Sequence, residues 1–171
     1  MMTERHAESL AADVATGPRL LLADHHRELE GACRSLLEHT YADDPLQLIL
    51  QYRRFERGLL EHMAAEEEII LPDYAAAAPA KARAIMHDHT ELRRQLFLVA
   101  VEIELHVVRA QTVCTLIDQL RAHAAREYTS MYPWAQVHLP VSARRRLFVR
   151  IGRSLRSLAR RVEPYLPRAM L

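Results

Sequence analysis

The sequence is poor in the residues that interrupt or cross-link a chain. Its 171 residues include four glycines, eight prolines and two cysteines, Cys33 and Cys114. Two cysteines cannot build the disulfide framework of a small secreted domain. Few glycines and prolines leave long segments without turn signals. Because Ala, Leu, Arg and Glu are abundant, these absences favour an all-α fold over one built from strands.

A bias toward one charge is also absent, as is a long apolar run. The 23 basic and 22 acidic side chains give a formal net charge of +1, so nucleic acid is not an expected partner. The most apolar run, Leu96 to Val101, is about a third of what a membrane span needs. The first ten residues lack the apolar core of a signal peptide. We therefore expect one cytoplasmic domain without a membrane span.

Sparse turn signals divide the chain into five predicted helices. Pro18 opens the first, Pro45 the second, which runs to Leu71, and the third spans about Lys81 to Arg109. A small-residue loop is expected from Ala75 to Pro79. The fourth ends near Met131 and the fifth covers about Ser142 to Val162; no Gly or Pro marks where the third gives way to the fourth. Short loops predict an up-down-up-down four-helix bundle with an additional C-terminal helix.

Histidine is the unusual component, with 10 copies, and four of them precede a glutamate by four residues. That spacing puts an imidazole and a carboxylate on one helical face, one turn apart. Chance alone gives roughly one such pair at these frequencies. The four pairs are His26/Glu30, His62/Glu66, His87/Glu91 and His123/Glu127.

The apolar face of each predicted helix distinguishes the pairs that should be buried from those that should be solvated. His62/Glu66 and His123/Glu127 continue the three-and-four spacing of apolar residues in their helices, so both pairs should face the core. A carboxylate there is costly unless its charge is compensated. The pairs His26/Glu30 and His87/Glu91 share faces with arginines, and we expect them to be solvated.

The first and third helices each add a histidine to the core stripe. His89 lies on the apolar face of the third helix and His25 on that of the first. His26 lies about 100° from His25, at the edge of the stripe, and is the weaker of the two candidates. Imidazole and carboxylate together suit iron, zinc or manganese. Two ions sharing two bridging glutamates would balance the ligands, whereas a metal-free core would have to satisfy every group by hydrogen bonds.

Four segments carry a resemblance to a known family. They are Asp24-His25, His62 to Pro72, Asp88 to Leu92, and His123-Ala-Ala-Arg-Glu127 with Tyr132-Pro133. Over residues 18 to 135 the chain resembles the hemerythrin-like, HHE cation-binding proteins, which are four-helix bundles around a non-haem diiron centre. The resemblance implies two oxo- or hydroxo-bridged irons held by His25, His62, Glu66, His89, His123 and Glu127. Residues 1–17 would form an arm, 18–135 the metal-binding bundle and 136–171 a basic helix packed on it.

Two departures bear on function. Oxygen-carrying hemerythrins have a further histidine one turn before His89, where this chain has Ile85, and an Asp five residues after the equivalent of His123. The resemblance therefore points to the bacterial four-His, two-Glu type, which binds or reacts with oxygen, peroxide or nitric oxide, with an oxidase, oxygenase or detoxifying activity left open. The alternative is a non-catalytic metal or oxygen sensor or scaffold.

The C-terminal segment is strongly basic. Residues 144–171 hold nine arginines and one glutamate, and on a helix Arg146, Arg150 and Arg153 share one face. We expect this face to be solvated on a helix that packs against the acidic bundle. A protein or anionic partner is the alternative, and the lack of interleaved aromatic residues argues against single-stranded nucleic acid.

Overall fold

The computed structural model describes residues 17–42 and 44–159, and there the chain is helical without a strand. The all-α prediction is confirmed. The expected N-terminal arm lies outside the described residues, except for Gly17. The described helices are α1 (Pro18–His39), α2 (Pro45–Ile69), α3 (Leu71–Ala77), α4 (Pro79–Glu104), α5 (Ala110–Thr129), α6 (Met131–His138) and α7 (Val141–Ala159).

The four long helices of residues 18–129 surround a common core. α1 packs on α2 and α5, and α4 packs on the same two helices, so the four close a ring. Leu29, Phe55, Leu92 and Leu116 are fully buried at its centre. These side chains recur at helical spacing in the sequence, which explains why their helices bury the predicted faces. None of the described helices is long and apolar enough to cross a membrane.

The end of the third predicted helix, left open by the sequence, falls at Glu104. His106 follows with a φ of 58°, a left-handed conformation uncommon outside glycine. The Glu102 carboxylate accepts hydrogen bonds from the Arg109 amide at 3.0 Å and the Thr112 hydroxyl at 2.9 Å. A side chain therefore closes this turn without glycine or proline.

The second and fourth predicted helices end within about two residues of the positions expected, but the chain continues as short helices that contain Pro72 and Pro133. α2 ends at Ile69 and Pro72 lies in the first turn of the short α3; α5 ends at Thr129 and Pro133 lies in the first turn of α6. A proline in a first helical turn sacrifices no intrahelical hydrogen bond. The loop expected from Ala75 is accordingly helical as far as Ala77.

The basic helix α7 packs against α1 and α2. A Cβ on Gly58 of α2 would lie 2.8 Å from Cδ2 of Leu158, so this glycine lets the two helices approach closely. The Arg150 guanidinium forms ion pairs with Glu61 and Glu68 of α2. The predicted end of the helix at Val162 lies beyond the described residues, and the expected boundary at residue 135 falls inside α6.

Candidate metal centre

All four long helices supply polar side chains to one buried cluster. Each lies on the face that its helix turns toward the core, and each is at most 8% exposed. The cluster comprises His25 and His26 from α1, His62 and Glu66 from α2, His89 from α4, and His123 and Glu127 from α5.

The two glutamates lie between the histidines. Oε1 of Glu66 is 3.3 Å from Nε2 of His62, whereas Oε2 is 3.4 Å from Nε2 of His89. Glu127 likewise directs Oε2 toward Nε2 of His123, at 3.2 Å, and Oε1 toward Nε2 of His89, at 3.6 Å. Each carboxylate thus directs its two oxygens at two different histidines.

Two overlapping groups have ligand atoms close enough to hold one ion each. One is His26, His62, His123 and Glu127; the other is Glu66, His89, His123 and Glu127. Several of these atoms are buried and have no hydrogen-bond partner in the described part of the chain, among them Nε2 of His26, His89 and His123, Oε2 of Glu66 and Oε1 of Glu127. Buried polar atoms are costly when unsatisfied. Neutral imidazoles with carboxylates form a donor set that fits iron, zinc or manganese.

The α1 histidines occupy different places from those expected. His26 was expected to be solvated with Glu30, but it is buried and its Nε2 lies 3.4 Å from Oε2 of Glu127. The geometry does not bring His25 to a carboxylate. Its Nδ1 lies 2.8 Å from Nδ1 of His62, and its Nε2 lies 3.0 Å from Oγ of Ser154 in α7.

The pKa of His25 indicates which atoms donate in the two hydrogen bonds that link His62, His25 and Ser154. Burial, reinforced by the neighbouring His62, lowers the pKa of His25 to about 3, so His25 is neutral. Nε2 of His62 is directed at the carboxylates, so its Nδ1–H donates to Nδ1 of His25. The single proton of His25 is then on Nε2, which donates to Ser154. His25 therefore orients a cluster histidine, and the hydrogen of the Ser154 hydroxyl is not used in these two hydrogen bonds.

The carboxylates hold protons on the histidines opposite them. Burial by itself would lower the pKa of His62, but Glu66 and Glu127 outweigh it and raise the pKa to about 9. The same competition raises the pKa of His89 to about 10. Burial would conversely raise the pKa of Glu66, but His62 and His89 hold it well below its usual range. Because a metal ion needs the nitrogen lone pairs, it must displace these protons.

Two further carboxylates lie behind the histidines. Nδ1 of His89 lies 2.7 Å from Oε1 of Glu67, which also accepts a 2.8 Å hydrogen bond from Arg93. On the other side, Nδ1 of His123 lies 3.7 Å from Asp88, which Arg126 holds at 2.7 Å. A carboxylate that bonds to the outer ring nitrogen, as Glu67 does, fixes ring orientation and raises the basicity of a ligating nitrogen, whereas Asp88 lies beyond hydrogen-bonding distance of His123.

Tyr132 of α6 points its hydroxyl into the middle of the cluster. The phenol oxygen lies 2.8 Å from Oε1 of Glu66 and 2.8 Å from Oε2 of Glu127, so its single hydrogen is shared by the two carboxylates. The ring is fully buried, and burial together with Glu127 raises its pKa well above the usual value.

Sequence reasoning thus found His62, Glu66, His89, His123 and Glu127, all of which the structure brings together. It did not identify Tyr132, Glu67 or Asp88 as contributors. Tyr132 follows the break at Ser130, so no helical period relates it to Glu127, and only its place next to Pro133 could have drawn attention to it. The pair His87/Glu91 lies on the outside with His87 exposed, as predicted.

Comparison with known families agrees with this geometry. Residues 18–135 match the family model described as the hemerythrin HHE cation binding domain, which places the whole cluster inside the matched region. No curated protein and no solved structure matches the chain. The match covers more than half of the sequence, so the chain belongs to the hemerythrin HHE family and carries its metal-binding domain.

Proposed function

We propose that the chain binds two iron ions through His26, His62, Glu66, His89, His123 and Glu127, and that the loaded protein reacts with oxygen, peroxide or nitric oxide. The two glutamates would bridge the ions. His26 replaces His25 in the set inferred from the sequence, because Nε2 of His26 faces Glu127 whereas His25 bonds to His62 and Ser154.

The observation that supports this proposal is that each carboxylate directs its two oxygens at two different histidines. Glu66 directs its two oxygens at His62 and His89, 3.3 and 3.4 Å away. Two overlapping groups of ligand atoms, each compact enough for one ion, also support two ions rather than one. Iron is the metal typical of the family, and its N,O donor set is present here.

Bound iron would supply the redox chemistry and the Lewis acidity toward a small ligand. The chain contributes a dry enclosure, since the cluster side chains are at most 8% exposed. The Tyr132 hydroxyl holds a proton at its phenol oxygen, 2.8 Å from Glu66 and Glu127. Glu67 orients His89 through a 2.7 Å contact with its Nδ1.

Ile85 favours a reaction with oxygen over reversible oxygen binding. It lies one turn before His89, where oxygen carriers have an additional histidine, and it is fully buried in apolar surroundings. A bound ion would therefore have one protein ligand fewer, and an open position is where a metal site reacts.

The test is metal analysis followed by reaction of the iron-loaded protein. We expect two irons per chain in preparations supplied with iron. The reduced protein should oxidise in air and stay oxidised when returned to argon. One ion or none per chain would refute the dinuclear site. A visible spectrum that changes in air and reverts under argon through several cycles would instead indicate oxygen carriage.

A non-catalytic sensor is the second candidate, and the contact between α7 and the cluster favours it. Ser154 of α7 bonds to His25, which bonds to His62, so the position of α7 is linked to a proposed ligand. Metal-dependent change in the protection of α7 from hydrogen exchange, without turnover of oxygen or peroxide, would support this function over the first.

A further inference from the structure

A groove runs between α2 and α7 on the outside of the bundle. It encloses about 980 Å³, within the range of small-molecule sites, although an arginine-rich helix face would ordinarily be solvated. Its apolar lining residues, which we call its base, are the buried Gly58 and Leu158 together with Val149 and Val141, which are 41% and 72% exposed. The close approach of Leu158 to Gly58 forms the bottom of the groove.

Guanidinium groups surround this apolar base from both walls. α2 contributes Arg54 and Arg57, and α7 contributes Arg145, Arg146 and Arg153. Among the residues that the structure describes, none of these five lies within 4.0 Å of a carboxylate, although Arg150 beside them is paired with Glu61 and Glu68. Nε of Arg54 is buried and lacks a hydrogen-bond partner in the same described ranges. Glu61, the one carboxylate among the described lining residues, is paired with Arg150, so the walls carry a net positive charge.

We propose that this groove binds a single-chain anionic amphiphile, with the acyl chain on the apolar base and the anionic head group between the arginines. Guanidinium groups bind carboxylate or phosphate through charge-assisted, often bidentate hydrogen bonds. Charge complementarity and an apolar base together select a ligand that has both parts. A bilayer surface fits less well, because these arginines line a concavity rather than a flat face. No aromatic side chain lines the groove, which disfavours single-stranded nucleic acid.

The base of the groove is joined to the metal centre. Ser154 lines the groove and accepts the hydrogen bond from Nε2 of His25, whose Nδ1 bonds to His62. The Ser154 hydroxyl thus lies between the groove and His25, 3.0 Å from its Nε2. An occupant that recruits it would change the hydrogen bond to His25. Binding in the groove does not rest on the proposed iron chemistry, whereas any effect on bound iron does.

The first experiment is calorimetric titration of the metal-free, full-length chain with sodium dodecanoate below its micelle concentration. We expect saturable binding of one molecule per chain. The double variant Arg57→Gln/Arg153→Gln should weaken it by about tenfold or more, since two charge-assisted contacts are lost. The matched control is Arg83→Gln/Arg94→Gln on α4, which forms neither wall and should leave the affinity unchanged.

Two outcomes would overturn the proposal. One is the absence of saturable binding to the full chain. The other is equal binding of dodecyltrimethylammonium, or equal loss in both double variants, because the arginines of the groove would then not select the ligand. Inorganic phosphate should bind far more weakly than dodecanoate, and equal affinity would overturn the role of the apolar base.

The link to the centre is tested by nitrogen NMR of histidine-labelled protein. Dodecanoate should shift the Nε2 resonance of His25 in the wild type. In Ser154→Ala dodecanoate should still bind, but this shift should be lost. An unchanged His25 resonance in the dodecanoate-saturated wild type would refute the link to the metal centre. Binding itself would still be judged by the calorimetric titration. Metal content plays no part in either readout, so failure here is distinct from failure of the iron site.

Discussion

Oε1 of Glu67 lies 2.7 Å from Nδ1 of His89 and fixes the ring so that Nε2 faces the cluster. Glu67 is itself held by Arg93 at 2.8 Å. A glutamate adjacent in sequence to a proposed bridging residue thus performs a different task, because consecutive helical positions point about 100° apart.

Replacing Glu67 by Gln should weaken metal binding without removing a ligand. The amide cannot accept as strongly from Nδ1–H, so His89 becomes a poorer donor, and we expect affinity to fall by about 10- to 100-fold. Competition with a chelator measures the change. Glu91→Gln, on the outer face of α4 beside Arg94, is the control and should bind as the wild type does. Equal affinities of Glu67→Gln and wild type would show that the contact does not tune the site.

Replacing His26 by Ala should lower the metal content, whereas replacing His25 should not remove an ion. His26 faces Glu127, but His25 reaches the centre only through His62. Metal analysis of both variants after iron supply distinguishes them. Loss of iron in His25→Ala with full retention in His26→Ala would reverse the assignment and restore the ligand inferred from the sequence.

The metal-free protein should lose stability as the pH rises from about 6.5 to 9. The pKa of His62 is raised from 6.5 to about 9, so the proton it holds in the folded state stabilises the fold fully below pH 6.5 and is lost as pH passes 9. His89 acts in the same direction, with its pKa at about 10. Each such proton contributes a slope of about 1.4 kcal/mol per pH unit.

This pH window isolates those two histidines. His25 has a pKa lowered to about 3 and is neutral in both states above 6.5, and the Cys33 thiol, raised from 9.0 to about 12, matters only above pH 9. Urea unfolding at several pH values measures the slope. The metal-loaded protein should lack it, since the ions replace the protons. A flat profile for the metal-free protein would contradict the protonated pairs.

Removing the Tyr132 hydroxyl should destabilise the metal-free protein more than the loaded one. In Tyr132→Phe the buried Glu66 and Glu127 lose their shared donor, at a cost of about 1–3 kcal/mol, whereas bound ions would satisfy those oxygens. Urea unfolding of both forms measures the difference. Tyr128→Phe, at an exposed ring, is the control. Loss of metal from Tyr132→Phe would show that the phenol is needed to hold the ions.

The helices and most of the cluster could be predicted from the sequence because both depend on one helical period. His62, Glu66, His123 and Glu127 continue apolar stripes, so any bundle that buries those stripes brings the four groups inward. His89 follows from the same rule. The four-helix ring needs no further information, since amphipathic helices with short connections have few other ways to bury their faces.

The different contacts of His25 and His26 required the tertiary structure. A single stripe allows only one buried face, but α1 packs on α2 and α5 and also beneath α7, so both histidines are covered. The side toward α7 buries His25 against Ser154, and the side toward α5 buries His26 against Glu127. No periodicity within α1 distinguishes the face that meets a carboxylate from the face that meets a hydroxyl.

The contacts that Glu67, Asp88 and Tyr132 make also depended on the tertiary structure. Glu67 meets His89 and Asp88 meets His123 only because two helices adopt particular rotations against each other. Tyr132 enters the cluster because α5 ends at Thr129 and α6 restarts the chain in a new direction. Which helical faces are buried can be read from the sequence alone, since burial follows the period of one helix. Which buried atoms meet was decided by the packing of several helices, because contact between them depends on distances that no single helix contains.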